Sequence, residues 1–182
     1  MDIETSRLLG SLLLGRGVAA LATLHEGRPF VSMIPYALRL DSGAGRLQFI
    51  THVSRLSAHT RDMLASPDVC LLVTAPEDGS LPPQALPRVS LPATALFVTP
   101  TEPDHAALKA AYIDRFPHAA DYFQLGDFSI VVLEPTSARF IAGFARALTL
   151  SPAEVAAAVG DTIPRRGSPQ ADAGGQEQLR PA

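Results

Sequence analysis

The stretch FITHVSRLSAHTRDMLASPDVCLL, residues 49–72, decides how the chain is read. It reads as the end of a strand, a short loop, a helix and a second strand. Leu47, Phe49 and Ile50 belong to an apolar run that stops at Thr51. Ser54 stands one residue before the expected helix start. Leu56, Thr60, Met63 and Leu64 recur at helical spacing, which predicts one packing face. Ser66-Pro67-Asp68 ends the helix, because proline lacks the N–H and restricts the residue before it. Val69 to Val73 is short, apolar and bounded by turn residues, the pattern of a buried strand.

The chemistry of this stretch lies at the expected helix start. A helix N-terminus offers unpaired backbone N–H groups and a partial positive charge, which suit an anion. Ser54 supplies a hydroxyl, and Arg55 a planar fork that matches phosphate oxygens. His59 and Thr60 follow about one turn later, within reach of the same side. The same residues also read as an ordinary cap followed by a solvated charge. Both readings stay open on spacing alone.

Working outward, residues 5–14 form a first helix with Leu8, Leu9, Leu12 and Leu13 as its apolar face. Seven strands are expected: 18–24, 29–38, 46–51, 69–73, 87–98, 128–133 and 138–150. The first three are joined by short loops and predict an antiparallel meander. Pro35 predicts an edge or a bulge in the second, and Pro92 a bulge or bend in the fifth. Thr101-Glu102-Pro103-Asp104 opens a helix that Phe116-Pro117 breaks, with a short second helix over 119–123. Ser151-Pro152-Ala153-Glu154 is a capping box that opens a last helix stopping near Gly160. Two organisational units follow: a folded domain over residues 1–160 and a disordered tail over 161–182.

Composition narrows the function classes. The 182 residues are 47% apolar, enough for one domain with a real core. A net charge of -3 gives no general attraction to nucleic acid. The single cysteine, Cys70, excludes an intramolecular disulfide framework and a cysteine zinc cluster. No stretch is long and apolar enough to cross a bilayer, and Met1-Asp2-Ile3-Glu4 carries acid where a secretory leader carries base. A cytoplasmic protein without membrane or nucleic-acid partners is expected. No nucleophile or acid–base dyad stands out, and no histidine pair has the spacing of a helical metal site. The fold class expected is mainly β with inserted helices, a closed or nearly closed antiparallel barrel.

Several motifs then fall in order: Leu21-Ala22-Thr23-Leu24, Gly27-Arg28-Pro29, Ile34-Pro35-Tyr36-Ala37, Ser54-Arg55-Leu56-Ser57-Ala58-His59-Thr60 and Pro67-Asp68-Val69-Cys70-Leu71-Leu72. Pro87-Arg88-Val89-Ser90-Leu91, Tyr112-Ile113-Asp114-Arg115-Phe116-Pro117, Leu125-Gly126-Asp127-Phe128 and Gly143-Phe144-Ala145-Arg146-Ala147 follow. In this order the chain resembles the FMN-binding split-barrel superfamily, which includes pyridoxamine 5'-phosphate oxidase, and most of all its HugZ-type haem-utilisation branch. The resemblance covers roughly residues 8–150. It implies a six- to seven-stranded split β-barrel that forms a homodimer with FMN at the interface. It implies a cofactor site of Ser32 and Ile34 on the second strand, Thr51 on the third, Ser54, Arg55, His59 and Thr60 around the phosphate, and Arg88 from the fifth strand. The function implied is a flavin-dependent oxidoreductase, with two alternatives: a flavin- or haem-binding protein without turnover, or a HugZ-type haem-degrading oxygenase. The chain also departs from the pattern. It has no tryptophan, and no histidine after His118, so neither the substrate site of pyridoxamine 5'-phosphate oxidase nor a C-terminal haem-ligating histidine is present. Asp62 stands where the pattern often has asparagine, either repelling a phosphate or facing solvent.

Overall fold

Pro35 is where the chain changes partners. Strand β1 (Val18–His25) and strand β2 (Arg28–Pro35) form a hairpin. Strand β3 (Ala37–Leu40) pairs instead with strand β4 (Leu47–Ser54). Proline has no N–H to give a ladder, and Tyr36 turns its own N–H to the Gly17 carbonyl at 3.0 Å. The strand expected over 29–38 is therefore two strands, and the expected meander is two separate hairpins. The strand expected over 138–150 divides in the same way, into β8 (Ala138–Gly143) and β9 (Arg146–Leu150). It does so at a turn where Gly143 has φ 150° and Ala145 φ 59°. Those two divisions account for nine strands where the sequence predicts six or seven.

The computed structural model describes residues 1–41 and 43–163. The remaining strands are β5 (Asp68–Thr74), β6 (Arg88–Val98) and β7 (Phe128–Pro135). The sheet runs β2-β1-β5-β6-β7-β4-β3, with β8 on β6 and β9 on β8. Its two end strands, β2 and β3, are joined through Tyr36 alone, so the sheet curls back on itself as a split barrel. Pro92 is not a bulge, since β6 keeps an unbroken register with β5 from Arg88 to Thr94. It marks a change of neighbour on the other side, where β6 pairs with β8 through Arg88–Ser90 and with β7 from Ala93 to Val98.

Leu21, Ile34, Phe49, Leu71, Leu91, Leu133 and Phe140 fill the barrel. Helices α1 (Ile3–Gly15) and α4 (Pro152–Thr162) pack on this core through Leu9, Leu13, Val155 and Val159. Gly10 sits against the Ala158 carbonyl and Thr162, so any side chain there would push the two helices apart. Helix α4 runs two residues past Gly160, and the expected tail lies outside the described residues from 164 onward. Helix α3 (His105–Arg115) covers the outer face of β4 and β7 with Leu108 and Tyr112 against Ile50, Ile130 and Val132. With one face toward the barrel and the other under α3, β4 is buried from Leu47 to Val53. The expected helix at 119–123 is a 3-10 segment, Pro117–Gln124.

Helix α2 (Ala58–Ala65) starts later than its sequence suggests, with Ser57 at the N-cap. Pairing with β7 carries β4 on to Ser54, opposite Phe128. Ser54 and Arg55 thus lie at a strand end and turn, not at a helix start. No helix among the described residues is long and apolar enough to cross a membrane.

Candidate functional site

Arg55 follows directly on the end of β4 and is aimed by β7. Its N–H donates to the Asp127 carbonyl at 2.7 Å. Beside it, the Ser54 hydroxyl donates to Asp127 Oδ2 at 2.6 Å. The Leu56 N–H donates to Ser54 Oγ at 3.2 Å. The guanidinium makes only one long contact, Nε to Ser129 Oγ at 3.4 Å. It forms no ion pair among the described residues, so most of its donors remain available.

Arg55 borders a cavity of about 560 Å³ between the ends of β4 and β6, the start of β7 and helix α3. His52, Phe97, Phe123 and Phe128 line it, with His105 and Lys109. The last two stand four residues apart on α3 and share one face. The His52 ring stacks on Phe123 with centroids 3.8 Å apart and planes at 10°. Phe128 and Tyr112 close around it at 5.0 Å and 5.9 Å. Burial, followed by the charges of Lys109 and His105, lowers the His52 pKa to about 4, against a weaker opposing pull from Asp127. The Lys109 ammonium lies 4.9 Å from the Phe123 ring centroid. The cavity therefore combines a flat aromatic wall, an unprotonated imidazole and a basic rim. That combination suits a planar aromatic anion.

The other expected site residues are distributed by the same elements. Thr60 is fully buried, and its hydroxyl donates to the Ser54 carbonyl at 2.7 Å, tying α2 to the end of β4. The Ser32 hydroxyl and His59 Nδ1 lie 3.1 Å apart, across the contact of β2 with α2. Burial lowers the pKa of His59, partly offset by Asp62. Ile34 belongs to the barrel core, and the Thr51 hydroxyl is buried without a partner among the described residues. Arg88 donates to the Gln84 and Leu86 carbonyls at 3.2 Å and 3.0 Å, holding the turn before β6. The structure thus brings Ser54, Arg55 and Thr60 together, and Ser32 with His59. Arg88 lies at the opposite end of β6 from the Phe97–Pro100 border of the cavity. Asp62 neither faces solvent nor meets the cavity. It is 4% exposed and accepts hydrogen bonds at 2.7 Å from Thr23 Oγ1 and His25 Nδ1. Lys109, Phe123 and Phe128 escaped the sequence reading of the site. Only the four-residue spacing of His105 and Lys109 hinted at a common face.

The pyridoxamine 5'-phosphate oxidase pattern matches residues 9–142, which is most of the barrel. The chain belongs to the pyridoxamine 5'-phosphate oxidase family. Its likeness within that family runs to the HugZ-type branch. The chain is 36% identical over 124 residues to the chloroplast haem oxygenase HOZ of Arabidopsis thaliana, covering 68% of this chain and 35% of that protein. It is 28% identical over 138 residues to the haem oxygenase HutZ of Vibrio cholerae, covering 75% of each. Among solved structures it resembles a haem-binding protein from Mycobacterium smegmatis, with a TM-score of 0.73 and 28% identity. That match covers 86% of this chain and 62% of the other. The chain thus spans about a third of the length of the plant relative.

Proposed function

We propose that this protein binds haem and that haem degradation is the reaction it serves. The observation that carries this reading is the cavity beside Arg55. Its volume, about 560 Å³, lies within the usual range of roughly 300–1,000 Å³ for small-molecule sites. Phe123 and Phe128 offer faces for a flat macrocycle, while Arg55 and Lys109 offer charge to two propionates. Haem iron needs an axial donor. Within the cavity, His52 and His105 are the histidines that could supply it. His52 is the stronger choice, because its ring is kept unprotonated by burial. The names of the relatives point the same way. Bound haem would supply the redox chemistry, and the chain would hold it, orient it and exclude water.

A second reading, an FMN-dependent oxidoreductase, rests on the same arginine. Arg55 has donors to spare for a phosphate, next to Ser54 and Thr60. Ser32, Ile34, Thr51, His59 and Arg88 would complete that site at a dimer interface. Absorbance titrations with haem and with FMN separate the two. On the haem reading, haem saturates at one per chain with a sharp Soret band, and FMN does not saturate. His52→Ala then changes the ligand-field bands, while His105→Ala leaves them in place. Arg55→Ala weakens haem binding roughly tenfold, the effect of losing one charge-assisted hydrogen bond. Stoichiometric FMN binding with no ordered haem complex would overturn the haem reading in favour of the flavin one.

A further inference from the structure

A second pocket, of about 280 Å³, lies at the far end of α3 from the cavity beside Arg55. Its walls are the end of α1, the crossover from β2 to β3, and the last turn of α3. Leu13, Tyr36 and Leu38 supply apolar surface, and Arg16, Arg115 and Asp114 supply charge. We propose that this pocket binds a small organic anion, a carboxylate or a phosphate ester, between the guanidinium groups of Arg16 and Arg115.

Three observations carry this. Arg16 Nε is buried and has no hydrogen-bond partner among the described residues. A buried polar group in that condition calls for a partner that is not protein. Second, neither arginine forms an ion pair among the described residues. Third, the two groups converge. Both side chains line this one pocket, Arg16 from the end of α1 and Arg115 from the last turn of α3. Both charges also act on the Tyr36 hydroxyl, which is raised well above its ordinary value by burial in spite of them. The Tyr36 hydroxyl is not that partner: it donates to the Leu13 carbonyl at 2.8 Å and accepts nothing from Arg16 Nε. Two cations lining one half-enclosed space repel each other, and an anion between them removes that cost.

The pocket's dimensions and its acid limit the ligand. Its volume falls just below the roughly 300 Å³ at which sites for larger organic ligands begin. The ligand is therefore only a few carbon atoms long. Asp114 on the lining disfavours a second anionic end there and favours a hydroxyl or ammonium group.

The test is a titration of the whole chain with inorganic phosphate and, separately, with lactate, at ionic strength held constant with chloride. Thermal unfolding and amide chemical shifts are the readouts. The proposal expects a saturable rise in melting temperature with at least one anion, and shift changes that follow the same curve. Phosphate alone would assign a phosphate ester, and lactate alone a carboxylate. Arg16→Gln and Arg115→Gln should each weaken the response roughly tenfold. Arg115→Lys, which keeps the charge and loses the fork, should fall in between. If neither anion saturates at millimolar concentration, the proposal fails. It fails equally if both glutamine variants respond like the wild type, since the anion would then be binding elsewhere.

Discussion

At His52 the burial that shuts out water also shuts out a proton. The ring's ordinary pKa is 6.5, and in the folded chain it falls to about 4. As pH drops from about 6.5 toward about 4, the unfolded chain takes up a proton that the folded chain refuses. Stability from this group is complete above that window and declines within it. His52→Gln should flatten the decline, measured as urea midpoints at a series of pH values. Parallel curves for the two proteins would mean that the ring is solvated. Asp62 behaves differently. Burial raises its pKa, but hydrogen bonds from His25 and Thr23, with the charges of His25 and Arg61, outweigh this and hold it below its ordinary value. Its contribution is present above the unfolded carboxylate pKa and is lost as pH falls through the lower folded one. Asp62→Ala should destabilise at neutral pH by about 1–3 kcal/mol, because the buried Thr23 hydroxyl loses its acceptor. Asp62→Asn should cost less, since the amide oxygen can still accept from Thr23. Equal losses in chemical denaturation would show that the charge, and not the hydrogen bond to Thr23, is what matters.

The elements show which features sequence carries and which it cannot. The order strand, helix, strand over 49–72 is legible because hydrophobic period and Pro67 are local signals. The point where β4 gives way to α2 is not. Ser54 and Ser57 are equally good caps by residue type, and the choice is made by pairing of β4 with β7, far along the chain. The same late start explains why Leu56 is 78% exposed; Thr60 and Met63 are buried as the helical spacing predicts, but Leu64, expected on the same face, is 63% exposed. Arg55 suits an anion by residue type, but the cavity it borders is built by α3 and the segment 123–129, which no local pattern joins to it. Pro35 announced an interruption without saying that the chain would cross to the other end of the sheet. At that crossing Tyr36 ties the sheet to α1, through its hydroxyl and the Leu13 carbonyl. Tyr36→Phe keeps the ring packed against Phe49 and leaves that buried carbonyl without its donor. A loss of about 1–3 kcal/mol in equilibrium unfolding is expected. An unchanged midpoint would mean that water replaces the hydroxyl.

For the molecule as a whole, the outer face of β1, β2 and β5 is the feature one chain leaves unfinished. Val31 and Met33 on the edge strand β2 are 62% and 66% exposed. The register places Met33 beside Ala20 and Ala20 beside Leu72, with Val31 beside Ala22 and Ala22 beside Cys70. Large apolar side chains thus flank a low row of alanines on one continuous surface, where a second copy can lie flat. Exposed apolar patches of this kind mark interaction surfaces, and two-fold pairing is the commonest arrangement of identical chains. The wild type should sediment as a dimer at micromolar concentration, and Met33→Glu together with Leu72→Glu should give a folded monomer. That monomer also separates the two cofactor readings. The cavity beside Arg55 is lined within one chain, so a monomer that keeps it should still bind haem with an unchanged Soret band. The FMN site implied by the split-barrel resemblance needs both chains, so flavin binding should vanish with the dimer. Haem binding lost together with the dimer, in a variant whose circular dichroism is unaltered, would move the haem from this cavity to the interface.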